Sequence, residues 1–116
     1  MVFANEASVK LKAGKNVSAS VTSSNYTELI SQAESYLNTL MRINYTDTFA
    51  SLNADVKDIL EDACSSHAAM AAINYDMSTY TSRAEAQTML DVNYTRLQDA
   101  IKLLKDKKFT DFINDA

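Results

Sequence analysis

Residues 53–75 read NADVKDILEDACSSHAAMAAINY, and this stretch decides the fold. Val56, Ile59, Leu60, Ala63, His67, Met70, Ala71 and Asn74 recur at intervals of three and four, the period of one helix face. Asn53 stands where an N-cap is needed, because its side-chain oxygen can accept from an early backbone N–H that has no partner within the helix. The run Ala68-Ala69-Met70-Ala71-Ala72 is built of small residues, which let helix backbones approach closely. A helix over 54–75, central to a bundle, is therefore expected.

The same reading extends to both sides. Downstream, Ser82-Arg83-Ala84-Glu85 has the spacing of a capping box. It opens a helix over 83–106 with the stripe Ala86, Met89, Leu90, Asn93, Leu97, Ala100, Ile101 and Leu104. Upstream, a helix over 26–42 carries Leu29, Ile30, Ala33, Tyr36, Leu37, Leu40 and Met41 on one face. Ser24 or Asn25 is expected to cap it, and Asn25 to Glu28 has capping-box spacing. Residues 43–52 read as irregular or a single turn, with Tyr45 and Phe49 as anchors into the core.

The N-terminal residues follow a different pattern. Val9, Leu11 and Ala13 alternate with Lys10 and Lys12, and Val17, Ala19 and Val21 with Ser18 and Ser20, around a turn at Gly14-Lys15-Asn16. Alternation of period two predicts extended chain, and here a β-hairpin arm. The fold class expected is mainly α: a small antiparallel bundle with an extended N-terminal arm. The organisation is arm and linker over 1–24, bundle over 25–108 and tail over 109–116.

Composition supports that class. The 116 residues contain one glycine and no proline, too few breakers for the frequent turns of an all-β fold. An apolar fraction of 47% is enough for one core. The net charge of −4 disfavours a nucleic-acid binder, which carries a basic patch. Charge is uneven: Lys10, Lys12 and Lys15 near the start and Lys102, Lys105, Lys107 and Lys108 near the end flank an acidic middle from Asp47 to Asp62. Such ends and middles suit head-to-tail docking. No membrane span or signal peptide is expected. Four Asn-x-Ser/Thr tripeptides, at Asn16, Asn25, Asn44 and Asn93, are read as chance matches.

Chemistry-bearing groups are few. His67 is the one histidine and Cys64 the one cysteine, so neither a disulfide framework nor a cysteine zinc site can form within the chain. The two lie three residues apart on a helix, but a nucleophile and base need a third, orienting group. Asp55/Asp58 and Glu61/Asp62 fit a solvated helix start. With one glycine there is no phosphate-cradling loop. No cofactor, no metal and no catalysis are expected. Instead, Asn74 and Asn93 on apolar stripes, six tyrosines and the apolar end Phe109-Thr110-Asp111-Phe112-Ile113 suggest contact with other proteins. Asn74 and Asn93 either bond each other or face a neighbouring subunit. The apolar end either folds back or hooks a partner.

A linked series of segments resembles the head–tail adaptor (connector, head-completion) proteins of tailed bacteriophages. Ile30-Ser31-Gln32-Ala33-Glu34 opens the series and Asn53-Ala54-Asp55-Val56-Lys57 follows. Then come Ala71-Ala72-Ile73-Asn74-Tyr75-Asp76-Met77, Tyr80-Thr81-Ser82-Arg83-Ala84-Glu85-Ala86, and Leu103-Leu104-Lys105-Asp106 before the Phe-Ile tail. The resemblance runs from Ile30 to Asp115 and rests on order and spacing.

It implies a structural virion protein at the head–tail junction, made in the host cytoplasm. Such a protein forms a ring of about twelve copies beneath the portal protein. Its partners would be the portal, neighbouring copies and tail or nozzle proteins, with DNA passing nearby without sequence-specific binding and no membrane. By resemblance Phe109, Phe112 and Ile113, with Lys105, Lys107 and Lys108 beside them, become portal-contact candidates. Val9, Leu11, Val17 and Val21 of the arm, with Tyr75 and Tyr80, become inter-subunit candidates. The alternative reading is a non-catalytic helical-bundle chaperone or regulatory binding protein.

Overall fold

The computed structural model describes residues 3–14, 17, 19–42, 44–75, 80 and 82–105, the side chains of Arg83 and Lys105 aside. It is mainly helical. The elements are α1 (Glu6–Ala13), α2 (Ser23–Met41), the single turn α3 (Tyr45–Thr48) running into a 3-10 turn (Phe49–Ser51), α4 (Ala54–Tyr75) and α5 (Arg83–Lys105). Among the described residues there is no strand.

The centre is α4. Leu60, Ala63, Cys64, Ser65, Ser66, Ala68, Ala69, Ala72 and Ile73 are all buried, so most of its circumference is covered. Short side chains make this possible, since three helices cannot crowd one axis through large residues. Helices α1, α2 and α5 all pack on it. The seven residues between α4 and α5 span at most about 25 Å. Each of those helices is roughly 33 Å long, so the two cannot run parallel side by side. Leu37, Leu60 and Ile73 are fully buried, each contributing about 1.5–3 kcal/mol by leaving water.

The caps explain the helix starts. Asn53 Oδ1 accepts from Asp55 N at 2.8 Å, as its position predicts. Ser82 Oγ accepts from Glu85 N at 3.1 Å. The cap of α2 lies earlier than expected. Thr22 and Asn25 form the reciprocal box, Asn25 N donating to Thr22 Oγ1 and Thr22 N to Asn25 Oδ1, so Asn25 acts as N3 instead of as the cap. Arg42 closes α2 in the left-handed region, at φ 59°.

The extended arm is a misreading, and its cause is specific. Val9 and Ala13 are both fully buried, and a separation of four satisfies a helix as well as an alternating strand. Leu11 alone distinguishes the two periods, and it is 82% exposed. The deciding local signal is at Asn5. Its side chain accepts from Ser8 N at 2.9 Å while Ser8 Oγ accepts from Asn5 N at 3.1 Å, a capping box that starts α1. Glu6 and Lys10 then pair at 3.6 Å one turn apart. Gly14, at φ 91°, ends the helix with its N–H on Lys10 O, a backbone position that side chains resist.

Polar contacts hold α1 against the bundle. Lys12 Nζ donates to the Asp62 carboxylate and carbonyl, and Arg96 approaches the same carboxylate at 3.5 Å. Asn93 Nδ2 donates to Lys12 O at 3.1 Å and Tyr80 OH to Ala13 O at 2.7 Å. Ahead of α1, Phe3 stacks on Phe49 at 5.4 Å and its N–H donates to Glu34 Oε1 at 2.9 Å.

Candidate docking face

On a different face of α4 from α1 lies a groove of about 370 Å³. Tyr36 of α2 forms one wall, His67, Met70, Ala71 and Asn74 of α4 the floor, and Tyr94 of α5 the other wall. At 100° per residue, Ala71 stands about 180° round α4 from Asp62, the residue that Lys12 of α1 holds. The four floor residues stand between about 80° and 180° round α4 from Asp62, so the groove and α1 occupy different faces of the central helix.

This floor is the C-terminal half of the apolar stripe that the periodicity assigns to the core. Val56, Leu60 and Ala63 of that stripe are buried. His67, Met70 and Ala71 are half-exposed and Asn74 and Tyr75 are exposed. Tyr36, also expected inside, is 43% exposed. Along this half of α4 the buried face is Ala68, Ala69, Ala72 and Ile73, and the stripe looks instead into the open groove between α2 and α5. Asn74 and Asn93 therefore do not bond each other. Asn93 is buried, with both amide contacts to backbone, at Lys12 O and Met89 O.

His67 sits against Tyr36, ring centroids 4.9 Å apart and planes tilted by 31°. Burial lowers its pKa from the ordinary value of 6.5, so the ring is neutral at pH 7. Cys64, three residues back, faces elsewhere: its thiol donates to Ile30 O at 3.8 Å inside the core. Burial first, and then the charge of Glu34, pushes that thiol up to about 12. At pH 7 its thiolate fraction is of order 10⁻⁵, too small for a working nucleophile. Among the described residues no group of three His, Cys, Asp or Glu is placed to hold a metal. No described helix is long and apolar enough to cross a membrane.

A second, larger groove of about 560 Å³ runs along the outer side of α1, lined by Ala7, Lys10, Leu11, Gly14 and Val17. Leu11 has the greatest exposure of any large apolar residue described. Of the inter-subunit candidates, Val9, Val21 and Tyr80 are buried within their own chain. Leu11, Val17 and Tyr75 keep accessible surface. Of the portal candidates, Lys105 closes α5, while Phe109, Phe112, Ile113, Lys107 and Lys108 lie outside the described residues.

Tyr94 escapes the periodicity because it lies beside the stripe of α5, next to buried Asn93, and only the position of α2 makes it a groove wall. Comparison of the chain with protein-family models, curated proteins and solved structures finds no match in any of the three.

Proposed function

We propose that this protein is a non-catalytic adaptor of the virion, joining a phage head to its tail through a ring of copies docked on the portal. The observation that carries the reading is the uncovered half of the α4 stripe. An apolar stripe left facing an open groove, bordered by Tyr36, Met70 and Tyr94, presents the tyrosine and methionine that are enriched at protein interfaces. The order of the segments between Ile30 and Asp106 supports the adaptor in particular. In this reading the tail Phe109, Phe112 and Ile113, with the lysines Lys105, Lys107 and Lys108, engages the portal. Tail or nozzle proteins bind the opposite end, and DNA passes without sequence-specific contact.

The test is the number of copies per purified particle, measured by quantitative mass spectrometry. About twelve, matching the portal, is the expected result. Absence from the particle would remove the adaptor reading and favour a chaperone or regulator that uses the same face for a client. Truncation after Lys108 should abolish attachment to the portal with helicity intact. A truncated chain that still attaches would remove the tail from the mechanism.

A further inference from the structure

We infer that the Leu11 face of α1 in one copy seats in the Tyr36–His67–Tyr94 groove of the next, so that neighbours in the proposed ring meet head to tail; this inference rests on that reading. Three observations converge on it.

The first is direction. Leu11 lies about 200° round α1 from Val9, which is buried against the bundle, so its side chain points away from α4. The groove opens on a different face of α4. Each copy therefore presents an apolar knob on one face and an apolar recess on another, too far round the molecule to share one patch. A two-fold dimer would cover one of these twice and leave the other bare. A heterologous contact covers both and repeats, which is the geometry of a ring.

The second is shape. Ala7 and Gly14 lie one turn before and after Leu11 on the same face. A large side chain between two small ones stands clear of its helix and lets that helix approach a groove closely. The floor it would meet is Ala71, with flexible Met70 beside it.

The third is charge. Lys10, next to Leu11, keeps about half of its side chain exposed while pairing with Glu6. On the receiving side Asp91 is exposed on α5, one turn before Tyr94, where it accepts from Gln87 Nε2 at 3.0 Å. The other wall, α2, carries the exposed Glu28 and no Lys or Arg; Glu34 on the same helix faces inward. Two α1 helices meeting across a two-fold axis would instead bring Lys10 toward its own copy.

An eight-residue helix is only about 12 Å long, and one face of it buries far less than the roughly 800 Å² per partner of a stable complex in solution. The contact is accordingly weak between free chains and strong when copies are held side by side on a portal, where the effective concentration is high.

The experiment is disulfide trapping with full-length chains at several hundred micromolar under mild oxidation. Buried Cys64 is left in place. One chain carries Leu11→Cys and the other Asn74→Cys. The mixture should give a covalent dimer, each variant alone should stay monomeric, and the double variant should give a ladder. Adding Met70→Lys to the groove chain should reduce the cross-link at least tenfold with an unchanged circular dichroism spectrum. Efficient dimers from Leu11→Cys alone, or a mixture no more cross-linked than its components, would overturn the interface. The copy number per particle separates the two claims. About twelve copies without the cross-link would retire this interface and keep the adaptor. The cross-link without copies in the particle would do the reverse.

Discussion

Glu34 has no exposed surface, yet it stands on the inner face of α2. Its carboxylate accepts from Phe3 N at 2.9 Å and from Thr46 Oγ1 at 2.6 Å, tying the segments before α1 and at α3 to the same helix. Hydrogen bonds to a charged group contribute about 1.5–3 kcal/mol each. Replacing Glu34 with alanine removes both and leaves the Phe3 N–H without its acceptor in the core. The expected cost is about 3–5 kcal/mol, in the range found when one member of a buried charged network is deleted. For a chain of this size that lowers the melting temperature by about 12–20 °C.

Glutamine is the informative comparison. Its oxygen can still accept from Phe3 N, and its amide can donate to Thr46 Oγ1, which already accepts from Asn38 Nδ2 at 2.8 Å. Glu34→Gln should therefore cost only about 1–2 kcal/mol. Urea titration followed at 222 nm measures both. If the alanine variant lost less than about 1 kcal/mol, or if the two variants were equal, Glu34 would not be the tie described.

Tyr80→Phe removes the hydroxyl that donates to Ala13 O and should cost about 1 kcal/mol or somewhat more. Burial and then the charge around it raise the Tyr80 pKa from 10 to about 12, so its contribution is complete below pH 10 and declines as pH rises toward 12. The phenylalanine variant should show a shallower loss of the urea midpoint over that range. For His67 the sign is opposite. Its lowered pKa means that below pH 6.5 the unfolded chain binds a proton that the folded ring resists. Stability is then full above pH 6.5 and falls on acidification, and His67→Gln should flatten the curve between pH 7 and 5. Cys64, with its thiol near 12, should react with a thiol reagent at pH 8 at least about a thousandfold more slowly in the native chain than in urea. Rapid native labelling would contradict its burial.

The long helices were legible because their apolar residues repeat without interruption and their caps are local. Asn53 and Ser82 announce α4 and α5 within three residues, and the observed bounds Ala54–Tyr75 and Arg83–Lys105 follow. The N-terminal segment was ambiguous because Val9 and Ala13 fit both periods. The tie-breaker, the Asn5/Ser8 box, consists of two polar residues outside the apolar pattern. Glu34 was invisible as a core residue since its donors, Phe3 N and Thr46 Oγ1, come from segments 31 and 12 residues away. The docking face was half legible. The stripe through His67 and Asn74 is written in α4, but whether it is covered depends on where α2 and α5 sit around that helix, a tertiary fact with no local signature. Leu11, an inter-subunit candidate expected on a strand, is exposed on a helix.

The fastening of α1 also has a consequence in time. Lys12 O waits for Asn93, 81 residues later, and Ala13 O waits for Tyr80, 67 residues later. At roughly 5–20 residues per second, the ribosome takes about 4–16 s to make the chain between Lys12 and Asn93. During that interval Val9 and Ala13 have no complete site to enter. The bonds to Tyr80 and Asn93 are thus the last that α1 can gain, and a nascent chain stalled before α5 would hold α1 only through α2 and α4.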